Sequence, residues 1–130
     1  MRSPEQILRD ARTIAIVGAS PREGRPSHTV MRYLQRAGFR CLPVNPTCDA
    51  VLGVPAVARL ADLDEPVDLV DVFRRAELCA DVAREAAAVG APAIWLQLGL
   101  RSAEARQVAI ASEMDYVEDA CTLIVHRDLG

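Results

Sequence analysis

A loop over residues 18–27 contains the residue types best suited to contact an anion. Gly18–Ser20 follow an apolar run, and an amphipathic helix begins a few residues later, with Ser27 as its expected cap. Backbone N–H groups in such a turn, together with the positive end of the helix dipole, bind phosphate groups. Arg25 and, less centrally, Arg22 would add fixed charge in fork geometry. The pattern therefore predicts a phosphate site that includes the N–H groups of Gly18–Ser20.

The glycine spacing of this loop differs from that of a dinucleotide-binding fingerprint. Counted from Gly18, that fingerprint requires glycine where this chain has Ser20 and Glu23. A carboxylate for the ribose hydroxyls is also expected at the end of the second strand, where this chain has Asn45-Pro46. NAD is therefore disfavoured as the ligand.

A pair of arginines marks another strand end. Arg74 and Arg75 directly follow the apolar run LVDVF at 69–73. Adjacent guanidinium groups are costly to crowd unless an anion neutralises them. Alternatively, one of them pairs with Asp71 or Glu77 while the other is solvated. The sequence leaves both interpretations open.

No catalytic constellation is evident from residue types and spacing. Ser20 has no neighbouring base and no nucleophile-elbow context. His28 is expected to be a partly exposed surface residue or a phosphate donor, and His126 has no identifiable partner. Cys121, which follows the last predicted strand, is either a buried apolar filler or a thiol near the far end of a ligand. These residues alone do not specify a reaction.

Composition excludes several classes of function. The net charge is −3, so neither a nucleic acid nor an anionic membrane surface is an expected partner. The chain has arginine but no lysine, which excludes Schiff-base and Walker-type lysine chemistry. The 4 cysteines lack CxxC spacing, and with 2 histidines they do not suggest a metal site. No apolar segment suggests a signal peptide or membrane span, so we expect a cytoplasmic protein with reduced thiols.

Apolar runs and amphipathic segments alternate along the chain. The predicted strands are 13–17, 40–46, 67–73, 92–99 and 115–119, with a short edge strand near 54–57, and the predicted helices are 3–10, 27–37, 76–89 and 102–112. The tail, 120–130, suits either a short helix or an edge strand. Such alternation predicts an α/β protein with a parallel sheet covered by helices on both faces.

The carboxyl ends of the strands should converge on a ligand site, because parallel sheets bind ligands at that edge. The strand ends expected to converge are Gly18–Ser20, Asn45-Pro46, Phe73–Arg75, Gln97–Gly99 and Glu118-Asp119. Three of them, at Gly18, Asn45-Pro46 and Gln97–Gly99, have a plain structural alternative as a turn, since Asn-Pro and glycine commonly form turns.

Four blocks of sequence, in order, resemble the small stand-alone CoA-binding proteins of bacteria and archaea. The blocks are IAIVGASPREGRPSHTVMRYLQRAGFRCLPVNP, PVDLVDVFRRAE, WLQLG and VEDACTLIVH. The resemblance extends from about Ile7 to His126, and those proteins share a Rossmann-like domain with the alpha subunit of succinyl-CoA synthetase. It implies a three-layer, doubly wound parallel sheet of five to six strands, forming one domain over residues 1–130. The implied function is binding of coenzyme A or acyl-CoA as a non-catalytic sensor, carrier or regulatory module.

The resemblance also implies a set of ligand-contacting residues. They are Gly18, Ala19, Ser20, Arg25, Pro26 and Ser27 along the nucleotide and pyrophosphate, Asn45 and Pro46 at the adenosine end, Phe73 and Arg74 at the next strand end, Gln97 and Gly99 towards the pantetheine, and Cys121 after the last strand. The chain departs from the family pattern in three places: Ala19 replaces a larger apolar residue, Ala120 replaces an arginine, and the segment ASEMDY lacks the glycine that is common before the last strand.

The alternative function is a small acyl-CoA or nucleotide-dependent enzyme that uses Cys121 or His28. A narrower hypothesis is that Cys121 forms a mixed disulfide with the CoA thiol. Whether the chain pairs with a second copy of itself or with another protein is left open by the sequence.

Overall fold

The computed structural model describes residues 1–130 and contains one main sheet and one small hairpin. The strands are β1 (Thr13–Val17), β2 (Arg40–Val44), β3 (Ala50–Val51), β4 (Val54–Pro55), β5 (Leu69–Val72), β6 (Ala93–Leu96) and β7 (Asp115–Val117). The main sheet has 5 parallel strands in the order β2-β1-β5-β6-β7. β3 and β4 form a separate antiparallel pair. The predicted parallel sheet is confirmed, with its strand order reversing beside β1.

Five helices cover the two faces of the sheet. They are α1 (Pro4–Asp10), α2 (Pro26–Arg36), α3 (Cys79–Ala88), α4 (Ala103–Ala111) and α5 (Thr122–Asp128). One apolar cluster packs α3 and α4 against one face, and a second packs α1, α2 and α5 against the other. The predicted three-layer α/β fold is therefore confirmed.

The sequence of β1 explains why helices cover both faces. Ile14 and Ile16 contribute to the cluster beneath α1, α2 and α5, whereas Ala15 and Val17 contribute to the cluster beneath α3 and α4. Side chains alternate between the two faces of a strand, so a continuous apolar run requires both faces to be covered.

Three predicted elements differ in detail from the structure. The edge strand near 54–57 is shorter, because Leu52-Gly53 turn the chain back so that β4 pairs with β3, and Val57 makes only an isolated bridge to Val44. The helix predicted at 76–89 begins as a 3-10 turn over Ala76–Leu78. The tail, for which helix and strand were both open, contains α5.

The start of α2 differs from the predicted Ser27 cap. Pro26 is the first helical residue, Arg25 occupies the cap position, and its side chain accepts no capping hydrogen bond. Proline suits this position because its fixed φ fits the first helical turn and its missing N–H has no partner there in any case. Ser27 therefore lies inside the helix, where it is buried.

Candidate functional site

A cleft of about 560 Å³ lies where the carboxyl ends of β1, β5 and β6 meet the start of α2. Its lining residues are Gly18, Ser20, Arg25, Pro26, Ser27, Val30, Phe73, Arg74, Arg75, Gln97, Leu98, Leu100 and Cys121. Most of the residues predicted to contact a ligand thus surround one cavity, although they come from four separate segments. The remaining ones, Ala19, Asn45, Pro46 and Gly99, lie outside this lining.

Gly18 is required by the close approach of two strand ends. Its φ is +87°, and a Cβ at this position would lie 2.3 Å from the carbonyl oxygen of Phe73. Its N–H donates to the Val44 carbonyl at 2.9 Å, so the expectation that this amide faces a phosphate is wrong. The N–H groups of Ala19 and Ser20 donate to no protein acceptor. The first turn therefore offers two uncommitted amides.

The charges around the cleft are all positive. Arg25 and Arg74 form no ion pair, whereas Arg75 lies 3.5 Å from Glu77 with both side chains largely exposed. No carboxylate lines the cleft. Asp71, one of the partners considered for the arginine pair, points into the interior and contacts neither arginine. The guanidinium groups of Arg25 and Arg74 are therefore available to bind an anion.

The Asn45 side chain links the loop that follows β1 to the loop that follows β2 through hydrogen bonds. Its side-chain N–H donates to the Ala19 carbonyl at 2.6 Å, and its Oδ1 accepts from the backbone and hydroxyl of Thr47 at 2.9 and 2.7 Å. Pro46 lines a neighbouring cleft of about 390 Å³, and Arg74 lines both cavities. Arg74 therefore forms part of the wall between the main cleft and a second one near the ends of β1 and β2.

A buried hydrogen-bond network lies at the β6 side of the main cleft. Gln97 Nε2 donates to Asp71 Oδ1 at 2.5 Å and to Thr122 Oγ1 at 2.8 Å, and Thr122 Oγ1 donates to Asp71 Oδ2 at 3.0 Å. Asp71 and Thr122 are fully buried. Burial raises the pKa of Asp71 to about 7, against the opposing effect of these two donors. No sequence motif predicts this network, because its members belong to three distant segments.

Hydrogen bonds also fix the loop that carries Cys121. Trp95 Nε1 donates to the Ala120 carbonyl at 2.9 Å, and Asp119 accepts from the Gly99 N–H at 2.8 Å and from Arg101 at 2.7 Å. Ala120 stands where the resemblance implied an arginine, and its backbone carbonyl is held by the Trp95 indole. Gly99 serves this loop contact, and Cys121 borders the cleft.

The two histidines differ from their predicted surroundings. His28 is 7% exposed rather than a surface residue, its Nδ1 has no hydrogen-bond partner, and it does not line the cleft. His126 has the partner that the sequence did not reveal: its Nδ1 lies 2.7 Å from the Tyr33 hydroxyl, and its ring packs edge-on against Tyr33 and Phe39. His126 therefore joins α5 to α2 away from the cleft.

The thiols inside regular elements are poorly suited to reaction. Burial raises the pKa of Cys41 to about 12, and burial also raises the pKa of Cys79. No group of three histidine, cysteine or acidic side chains is arranged to hold a metal ion. No helix has the length and apolar character needed to cross a membrane.

Comparison with known proteins identifies relatives over nearly the whole chain. A family model described as "CoA binding domain" matches residues 12–127. The protein YneT of Bacillus subtilis (strain 168) is 42% identical over 122 residues, which cover 94% of this chain and 90% of YneT. The solved structure of cell-free ID.343 from Thermus thermophilus is 37% identical, with a TM-score of 0.93, and covers 99% of this chain and 100% of that one.

A larger relative matches only in part. The ADP-forming acetate–CoA ligase I of Archaeoglobus fulgidus is 33% identical over 67 residues, which are 52% of this chain and 10% of the ligase. A portion of the sequence is therefore shared with one small part of a much longer enzyme.

Proposed function

The chain belongs to the CoA binding domain family, and from that premise we propose that its main cleft binds coenzyme A or an acyl-CoA. The protein acts as a non-catalytic module, in the role of a sensor, a carrier or a regulatory partner.

The observation that carries the proposal is the unbalanced positive charge of the cleft. Arg25 and Arg74 line it without an ion pair, the amides of Ala19 and Ser20 have no protein acceptor, and no carboxylate is present. Coenzyme A carries a pyrophosphate and a 3′-phosphate, so it needs more than one cationic group. NAD has two free hydroxyls on its adenosine ribose, and its binding sites usually bond them with a carboxylate at the end of the second strand. This chain has no carboxylate there, and coenzyme A does not need one.

Each part of coenzyme A has a suitable surface. The pyrophosphate would lie against the Ala19-Ser20 amides and the uncapped start of α2, which carries partial positive charge. The adenosine would occupy the neighbouring cleft bordered by Pro46, with Arg74 between the two cavities. The pantetheine arm would extend over Leu98 towards Cys121.

Calorimetric titration of the reduced protein tests this proposal. We expect coenzyme A to bind at micromolar or lower concentration, dephospho-CoA to bind more weakly, and NAD to give no signal. The weaker binding of dephospho-CoA would show that the 3′-phosphate is contacted by charge. If coenzyme A gives no heat and no shift in thermal unfolding, the proposed ligand is wrong although the fold stands.

The enzymatic alternative retains a single candidate residue. His28 is buried and does not line the cleft, which leaves Cys121. Replacement of Cys121 by serine would therefore abolish any acyl-CoA turnover that the protein has. Turnover that survives this replacement would require a catalytic group elsewhere.

A further inference from the structure

One hydrogen-bond acceptor in the cleft is left without a protein partner. Gln97 is 5% exposed, and both N–H bonds of its side chain point inward, to Asp71 and Thr122. Its Oε1 accepts no hydrogen bond from the protein. The only fully buried side-chain nitrogen or oxygen without a partner is His28 Nδ1, so Gln97 Oε1 is accessible from outside the interior. Because Gln97 lines the cleft, its carbonyl oxygen is the polar atom that the side chain presents there.

The orientation of this amide follows from the donors and acceptors behind it. An ionised carboxylate can only accept hydrogen bonds, so both oxygens of Asp71 need donors. Gln97 Nε2 serves one oxygen and the Thr122 hydroxyl serves the other, while the same hydroxyl accepts the second proton of the amide. A rotated amide would set Gln97 Oε1 against the carboxylate and leave Asp71 Oδ1 without a donor. Such a buried, unpaired charge is strongly disfavoured.

The end of the cleft at which this oxygen lies carries little net charge. In the order β1-β5-β6, β6 is two strands from β1, which is about 10 Å across the sheet. Leu98 and Leu100 line this end, and the nearby guanidinium of Arg101 is paired with Asp119 and Glu118. The surroundings fit a neutral, partly apolar ligand segment that carries hydrogen-bond donors.

We propose that Asp71 and Thr122 are positioning residues that hold Gln97 with its carbonyl oxygen facing the cleft, and that this oxygen accepts a hydrogen bond from an amide N–H of the pantetheine arm. This inference rests on the proposed function and adds the chemical selectivity of one end of the cleft. An N–H group is accepted at this point, whereas a carboxylate or carbonyl oxygen is repelled. The adenosine and its phosphates lie beyond its reach.

The first test uses Asp71→Asn, which keeps the shape of the side chain but adds an N–H₂ group. When that group faces Gln97 it donates to Oε1, and the Gln97 amide then rotates and presents its own N–H₂ to the cleft. Titrations at pH 8, above the pKa of about 7 to which burial raises Asp71, compare coenzyme A with adenosine 3′,5′-bisphosphate, which lacks the pantetheine arm. We expect about tenfold weaker binding of coenzyme A and an unchanged affinity for the bisphosphate. Asp64→Asn, at an exposed loop position, is the matched control.

A second pair of variants decides between the outcomes if Asp71→Asn does not fold, or if its new N–H₂ group donates to Thr122 and leaves the Gln97 amide unrotated. Thr122→Val removes the hydroxyl at nearly constant shape, and Thr122→Ser retains it. We expect the valine variant to lose affinity for coenzyme A selectively and the serine variant to bind normally. Thermal unfolding of each variant shows separately how far the fold is affected.

The outcomes separate this inference from the function on which it rests. If the unaltered protein does not bind coenzyme A, both fail. If it binds coenzyme A and the variants lose neither ligand, or lose both ligands equally, the positioning role alone is overturned. Selective loss of coenzyme A, with recovery in Thr122→Ser, supports it.

Discussion

The two ends of the main cleft are built in opposite ways. At the α2 end, the amides of Ala19 and Ser20 and the guanidinium groups of Arg25 and Arg74 have no partner within the protein. At the α5 end, every side-chain nitrogen and oxygen of the buried network is hydrogen bonded except Gln97 Oε1. Uncommitted charge provides attraction that tolerates small displacements, whereas a closed network fixes one atom in one orientation. In the proposed function, the first end would supply affinity for an anion and the second would supply selectivity.

The largest effect should come from removal of the free charges. We expect Arg25→Ala combined with Arg74→Ala to weaken coenzyme A binding at least about 100-fold, since each hydrogen bond to a charged group contributes about 1.5–3 kcal/mol. Calorimetric titration measures the change. Arg9→Ala combined with Arg106→Ala is a control that alters net charge equally at exposed, unpaired arginines outside the cleft. Similar losses in both double variants would show that overall charge, and not this end of the cleft, attracts the ligand.

The next effect concerns the backbone that forms the α2 end. Gly18→Ala should lower the free energy of unfolding by at least about 2 kcal/mol, because a positive φ is strained and the new Cβ meets the Phe73 carbonyl. Gly24→Ala has a similar φ of +90° but open space around it, so we expect a cost of about 1 kcal/mol. Urea unfolding compares the two. Equal costs would mean that the approach of β1 to β5 does not require glycine.

These two ends also differ in how far sequence analysis could find them. The α2 end follows a contiguous pattern, so Gly18, Ser20 and Arg25 were predicted together. Its hydrogen bonds were not, because the pairing of the Gly18 amide with Val44 depends on how β2 lies beside β1. The alternation of strands and helices was sufficient for the sheet and its two helical layers.

No contiguous stretch of the sequence predicted the hydrogen-bond network at the α5 end. Asp71 lies 26 residues from Gln97 and 51 from Thr122, and it resembled a partner for the adjacent arginines. The one available sign was an aspartate within the apolar run LVDVF, since a carboxylate buried on a central strand needs donors from elsewhere. Which residues supply those donors depends on the packing of α5 against the sheet. The helical tail itself could not be distinguished from a strand because it is only a short apolar segment.

A smaller effect, spread over pH, distinguishes the closed network from the open end. The pKa of Asp71 is raised to about 7 in the folded protein, from about 3.8 when unperturbed. Between these values the folded state binds a proton that the unfolded state has released, so stability falls as pH rises. The slope is at most about 1.4 kcal/mol per pH unit.

Urea unfolding between pH 5 and pH 8 measures this dependence. We expect the free energy of unfolding to decrease across the range in the unaltered protein and to vary much less in Asp71→Asn. The carboxyls with lowered pKa, Asp119 and Glu65, titrate below this window and act in the opposite direction. An identical slope in the variant would show that Asp71 is not the group that titrates.

The smallest effect is expected at Cys121, which borders the α5 end without belonging to its network. Its Sγ makes no hydrogen bond and its side chain is half-buried, so Cys121→Ser should change coenzyme A affinity less than about twofold under reducing conditions. A tenfold loss would instead make the thiol part of the binding contacts.

The position of Cys121 has a chemical consequence if the pantetheine arm ends beside it. With CoA disulfide, the Cys121 thiolate would bond to one CoA sulfur and release the other CoA as a thiol, which mass spectrometry detects as a single adduct. Cys48, the other half-buried thiol, lies outside the cleft, so an adduct there rather than on Cys121 would contradict this orientation of the ligand.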